Sequence, residues 1–322
     1  MALIVAAALT SALASARPAA AGANVQHVAA QVANDRPKAP ADGSAGAPVS
    51  PGAVEPSAQP APDLSRARAY LFRGALGLIF SRGMDKLAAR IQRTGVTAEV
   101  YEFTICGLIA SAAIEEYKQN PFPIILMGHS MGGRCALQFA EKLGDEGIPV
   151  DLVVTIDPAH LSPDVPTNVA RFINIFLSKD VLGGGDIKPA KGFTGHYASY
   201  DLQQHGELHV NIDKMDAIHQ QLAAKLVEVV ATSGRSEGES LPLRYVVPPK
   251  ADVDLWDSGM SVAAHAGDTL QTLAAQYGLP PWALAQVNQF PDNTPLGAGQ
   301  RVVVPRHLQV PAPAPEPISS KR

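Results

Sequence analysis

The residues best placed to do chemistry in this 322-residue chain lie in Gly128-His129-Ser130-Met131-Gly132-Gly133. A serine between two glycines at G-x-S-x-G spacing is a nucleophile only if the chain turns sharply at it, from a strand into a helix. Both flanks meet that requirement. Pro123-Ile124-Ile125-Leu126-Met127 is a short, continuously apolar run, as expected of a strand buried on both faces of a parallel sheet. After the serine, Ala136, Leu137, Phe139, Ala140 and Leu143 recur at helical spacing, and Gly144 or Gly147 can close the helix. Gly128 and Gly132 leave room for close backbone approach at the turn. The new helix N-terminus directs free N–H groups and partial positive charge at an oxyanion forming beside Ser130. The chemistry this predicts is acyl transfer through a serine ester.

Such a serine needs a base and an acid, carried on neighbouring strands of the same sheet edge. The strand–elbow–helix unit resembles the α/β-hydrolase superfamily, particularly its small lipases and esterases, over about residues 66–231. The resemblance implies a mostly parallel α/β sheet and a triad in the order Ser, Asp or Glu, His. Val150–Ile156 reads as the next apolar strand, with Asp157-Pro158-Ala159 at its carboxyl end, where ligands bind in parallel sheets. Asp157 is similar to the acid-bearing turn of pancreatic-type lipases. Most of the superfamily places the acid one strand later, which keeps Asp180 and Asp186 as rivals. Of four downstream histidines, His209 precedes the helical pattern from Asp213 to Val230, the family's position for the base. His219 falls inside that helix as a surface or packing residue, and His196 and His205 lie on a polar loop that can cover the site. His129 reads as packing, and nothing requires His160. The oxyanion donors implied are the N–H of Met131 and that of Gly74 or Ala75, after the apolar strand Ala69–Phe72. Arg73 stands where the family usually has histidine. Residues Ile79 to Met84 are expected to begin the first helix. The short domain leaves an open site for small or exposed esters.

A second pattern runs from Val262 to Pro305. It comprises Gly267-Asp268-Thr269-Leu270, Tyr277-Gly278, Asn288 and Gly299-Gln300-Arg301-Val302-Val303-Val304-Pro305 in order. It resembles the LysM family, a small βααβ unit, over nearly its full length. Asp268 or Thr269 can cap the first helix, Gly278 can end it in the left-handed conformation, and Pro280-Pro281 can open the second. The resemblance implies binding of N-acetylglucosamine-containing glycans such as peptidoglycan. The groove would lie between the loop 267–270 and the loop 288–296, with Gly267, Asp268, Thr269, Phe290 and Pro291 as glycan contacts. Trp256, just upstream, reads as packing rather than sugar stacking.

The rest of the chain bounds these readings. A formal charge of −4, with 26 basic against 30 acidic residues, argues against nucleic-acid binding. Residues 1–21 read as a signal peptide, with an Ala-rich apolar run and Ala14-Ser15-Ala16 but no basic residue before the run. That run is too short for a transmembrane anchor. Residues 22–65 read as an Ala/Pro-rich disordered linker, 66–231 as the hydrolase domain and 232–259 as linker and lead-in. Residues 260–306 are expected to form the LysM-like domain and 307–322 a Pro-rich tail. Export to the periplasm, cell envelope or medium follows. No cofactor is expected, and the histidines lack metal-ligand spacing. Cys106 and Cys135 fit two buried free thiols; a disulfide is the alternative in an exported protein.

Together these features describe an exported serine esterase or lipase-like hydrolase with an acyl-ester substrate, localised by glycan binding. A non-catalytic glycan-binding scaffold and a wall-polysaccharide deacylase are the alternative readings.

Overall fold

The computed structural model describes residues 63–75, 82–234, 238–291 and 293–306. The expected signal peptide, most of the 22–65 linker, the 307–322 tail and residues 76–81 lie outside the described residues. A seven-stranded, wholly parallel sheet has the order β2-β1-β3-β4-β5-β6-β7. Its strands are β1 (Arg68–Arg73), β2 (Thr97–Glu102), β3 (Ile124–His129), β4 (Leu152–Ile156), β5 (Arg171–Phe176), β6 (His196–Asp201) and β7 (Leu243–Val246). The central strands β3, β4 and β5 are buried at every residue, which is why their sequences are apolar without alternation.

Helices cover both faces. On one, α1 (Gly83–Gln92) and α5 (Asp216–Thr232) bury Leu87, Ile91, Leu222 and Leu226 against Leu71, Met127 and Val154. On the other, α2 (Cys106–Gln119) and α3 (Met131–Asp145) bury Ala110, Ala113, Leu137 and Phe139 against Phe72, Leu126 and Phe172. A one-turn helix, α4 (His209–Ile212), precedes α5. This is the α/β-hydrolase fold expected above. The two cysteines depart from expectation: Cys106 and Cys135 form a disulfide, with Cα atoms 5.9 Å apart and no free cysteine left. The apolar surroundings are those of a buried bridge between the starts of α2 and α3.

The stretch expected to be linker and lead-in supplies β7, which pairs with β6 and closes the sheet. Beyond it, β8 (Ser258–Ala263) and β9 (Arg301–Arg306) pair antiparallel around α6 (Leu270–Gln276) and α7 (Pro281–Asn288). This is the expected βααβ unit. Thr269 caps the start of α6 with a reciprocal capping box through Thr272, Gly278 has φ +64°, and Pro281 opens α7. Val302 and Val304 point inward, while Arg301 is exposed. The unit sits on the sheet edge and shares its core. Trp256 is buried against Tyr245 and Trp282, and the Gln286 amide bonds the backbone of Val246 in both directions. No helix of the described residues is long and apolar enough to cross a membrane.

Candidate functional site

Ser130 caps β3 and opens α3 with φ 54° and ψ −122°, a left-handed conformation that a serine adopts only under constraint. The glycines are that constraint. A Cβ on Gly128 would lie 2.1 Å from the Gly132 carbonyl oxygen, and one on Gly132 would lie 2.1 Å from that of Phe72. The serine's backbone is fixed to the next strand: its N–H donates to Ile156 O (3.1 Å), and its carbonyl accepts from Ala159 N (3.0 Å). Met131 is the first residue of α3, so its N–H is one of the donors without an intrahelical acceptor. Gly132 packs closely on Phe72 and Arg73 at the end of β1; Gly74 and Ala75, the next two residues, are buried and exposed respectively.

Asp157 follows β4, is fully buried and has φ 40°. Its Oδ2 accepts from His209 Nδ1 at 2.7 Å, and its Oδ1 accepts from Leu177 N at 3.2 Å. Spending Nδ1–H on a carboxylate leaves Nε2 of a neutral imidazole as the nitrogen that can take a proton. Asp180, at the end of the following strand, places a carboxylate oxygen within 4.8 Å of the ligand atoms of both Asp157 and His209. One histidine and two carboxylates this close are also the donor types of a metal site. The direct 2.7 Å hydrogen bond between His209 and Asp157 is instead the arrangement of a proton-sharing pair. Asp186, the other rival acid, is engaged by Tyr197, Ser199 and Arg244.

The remaining histidines separate by position. His196 does not cover the site: it begins β6, at the amino edge of the sheet, and bonds Ser258 and Arg306. A parallel strand puts its two ends at opposite edges, so a residue one strand-length upstream is carried away from the triad. His205 stands in the short turn after β6, and His160 Nε2 contacts Val181 O at 3.0 Å. His219 is buried in α5, with Nε2 2.6 Å from Asp213 O.

His129 does more than pack. Its Nε2 lies 2.8 Å from the backbone oxygen of His209, and the two rings are 4.8 Å apart. Burial, reinforced by the neighbouring His209, pushes its pKa down to about 3, so the ring is neutral and Nε2–H is the donor. The residue before the serine thereby anchors the residue that would act as base. Close glycine packing confines Asp157 and the turn that follows it. A Cβ on Gly183 would lie 2.2 Å from Asp157 Oδ1, and one on Gly184 would lie 2.6 Å from Ala159 O. The sequence signal for that packing is the run Gly183-Gly184-Gly185.

Arg73, where the family usually has histidine, is tied up structurally. Its guanidinium donates to Asp85 Oδ2 at 3.0 Å and to Glu102 Oε1 at 2.9 Å, joining β1, α1 and β2. Clefts of about 230 and 450 Å³ flank the edge strand β2, and neither is lined by Ser130, Asp157 or His209.

In the βααβ unit the two loops expected to form a groove do lie side by side. Leu296 N donates to Asp268 O (2.9 Å), Leu270 N to Thr294 O (3.2 Å), and Thr269 bridges Pro295. Gly267 and Pro291 are exposed, Asp268 Oδ2 accepts from His265 N, and Phe290 packs partly on the core.

Residues 265–305 match the family described as LysM domain. A comparison with curated proteins finds no match. Among solved structures, the chain is similar to an alpha/beta-superfamily hydrolase from Xanthomonas campestris pv. campestris. The identity is 17% over 51% of this chain and 98% of that one, with a TM-score of 0.32. It is also similar to human thioesterase 2, at 13% identity over 54% of this chain and 100% of that one, TM-score 0.38. The NocB thioesterase domain from the nocardicin cluster is similar at 16% identity, over 49% of this chain and 94% of that one, TM-score 0.33. The fold assignment rests on the strand order and the elbow described above.

Proposed function

We propose that the chain is a serine acyl hydrolase that acts through Ser130, His209 and Asp157 and is held at a glycan-bearing envelope by its LysM unit. The observation that carries the reading is the 2.7 Å hydrogen bond between His209 Nδ1 and Asp157 Oδ2 on the sheet edge that strains Ser130. In the mechanism, Ser130 Oγ attacks the ester carbonyl while His209 Nε2 takes its proton. Asp157 holds the tautomer and balances the imidazolium. The oxyanion receives the N–H of Met131 and that of Gly74 or Ala75. Collapse expels the alcohol, which takes the proton from His209, and water repeats the sequence on the acyl-enzyme.

Export agrees with the Cys106–Cys135 bridge, since disulfides persist in oxidising compartments. The glycan role assigned to Gly267, Asp268, Thr269, Phe290 and Pro291 is supported by the adjacency of their two loops. Binding to N-acetylglucosamine polymers would then fix where the enzyme works.

The test is labelling with a fluorophosphonate alongside turnover of p-nitrophenyl esters. Wild type should label and turn over, Ser130→Ala should do neither, and His209→Ala should lose on the order of 10³-fold or more in kcat. A folded wild type that takes no label would return the chain to a glycan-binding scaffold.

A further inference from the structure

Among the described residues, seven large hydrophobic side chains stand exposed, and all of them leave the carboxyl ends of strands. Ile105 and Leu108 follow β2, Leu161 follows β4, Val181 and Leu182 follow β5, Leu208 follows β6, and Val246 ends β7. Single exposed aliphatics are ordinary on any surface. Their confinement to one edge of one sheet is not a scatter. That edge carries Ser130 at the end of β3, with apolar side chains to either side of it along the strand order.

Four of them crowd the Asp157 and His209 side. Leu161 is 86% exposed and Val181 is 84% exposed. Their loops are held together: His160 Nε2 contacts Val181 O, Ala159 bridges Gly183, and Gly184 N donates to Pro158 O. Leu182 N is pinned to Asp180 Oδ1 at 2.7 Å, and Leu208 immediately precedes His209. Leu161 has φ +61°, a left-handed conformation that a bulky L side chain rarely adopts. Its side chain buries almost nothing, so folding gains nothing from that strain. Strain without a folding return points to function.

We infer that Leu161, Val181, Leu182 and Leu208 form a platform for the unbranched aliphatic acyl chain of an ester whose carbonyl is at Ser130. The inference rests on the serine-hydrolase reading and names its substrate class. The occupant is an acyl chain because the rim borders the base and acid that the acyl carbonyl must meet. The four side chains are exposed, so the acyl chain lies along the surface rather than in a closed tunnel.

The experiment measures kcat/KM of the full chain on p-nitrophenyl acetate, butyrate, hexanoate and octanoate, beside the double variant Leu161→Ser/Val181→Ser. These two side chains are the most exposed, so their loss leaves the fold intact. Wild type should gain about twofold to fourfold per added methylene, the gain expected when each CH₂ leaves water in part or in full. The variant should keep its acetate rate within about twofold, while its gain per methylene falls to well under the wild-type value. Equal gradients in both proteins, or none in wild type, would overturn the platform. Fluorophosphonate labelling separates the two ideas. A wild type that labels but shows no gradient loses the platform alone; one that does not label loses both. Sedimentation of the same samples decides the other occupant. A wild-type dimer that becomes a monomer in the variant would assign the rim to a second copy of this chain and overturn the acyl reading.

Discussion

Asp157 and Asp180 approach His209 from the ends of consecutive strands, and their surroundings assign them different work. Asp157 is fully buried, makes the 2.7 Å bond to Nδ1 and is itself held by Leu177 N and by the close face of Gly183. Asp180 is partly exposed and accepts from Leu182 N. Asp157→Asn is therefore expected to lower kcat on the order of 10³- to 10⁴-fold, because the imidazole loses its tautomer partner. Asp180→Asn should cost under about tenfold, since only a neighbouring charge is removed. Parallel kcat measurements check this, and the reverse order would move the acid to Asp180. The serine was legible from local pattern alone, since the elbow's strand, glycines and helix are contiguous. The choice between Asp157 and Asp180 was not. Both follow apolar strands, and only the third dimension shows which carboxylate touches His209. The anchoring role of His129 was hidden for the same reason, since its partner lies 80 residues away.

Elements position the site through contacts that no single element predicts. The N-terminus of α1 is fixed to the segment carrying His209. Gly83 N donates to Asp213 Oδ2 at 3.0 Å, and a Cβ on Gly83 would lie 1.8 Å from Asp213 O. Burial pushes the Asp213 carboxyl up from 3.8 to about 6. A folded-state pKa above the unfolded one means that the native state holds the proton more tightly. This group's contribution to stability is then fully present below about pH 4 and is lost as pH rises through about 6. His129 and His219, pushed down by burial, act in the opposite sense and weaken the fold as pH falls below their ordinary 6.5. Comparison with Asp213→Asn, which keeps an acceptor for Gly83, isolates the first effect. In urea titrations, the stability of wild type minus that of the variant should fall between about pH 4 and 7 and then level off. A difference that is flat or rises with pH would remove Asp213 from that role. At this scale the strands β1, β3 and β4 and both βααβ helices were readable from apolar runs and caps, whereas β6 was read as a polar loop. The strand β7 was not. Leu243-Arg244-Tyr245-Val246 alternates over only four residues, between a polar break and two prolines, and its strand character comes from the partner β6.

At the scale of the whole molecule, the question is whether the seven-stranded sheet and the LysM unit are two bodies on a string or one. Both tryptophans of the chain lie at the junction. Trp256 is 1% exposed, and its backbone is clasped by the Tyr200 hydroxyl, which donates to its carbonyl and accepts from its N–H. Trp282, on α7, meets the Tyr245 ring of β7 edge-on at 5.6 Å. Beneath them Arg171 of β5 forms a buried ion pair with Asp257, the residue before β8. Removing either partner would take the opposite charge away from the other inside a buried site, so the pair ties the two parts to one geometry. A junction this apolar should make unfolding one event. In Trp256→Phe, Trp282 alone reports the LysM side by fluorescence, while far-UV circular dichroism is dominated by the larger sheet. Their urea midpoints are expected to coincide. Trp256→Ala, which leaves a cavity under both parts, should lower both midpoints together, by about 3–5 kcal/mol of stability. Two separated midpoints would make the units thermodynamically independent and leave the tether between glycan and triad flexible. Coincident midpoints mean that a glycan held by the loops at Gly267 and Pro291 fixes the direction in which Ser130 faces, so the LysM unit would select the orientation of the esters offered to it as well as their neighbourhood.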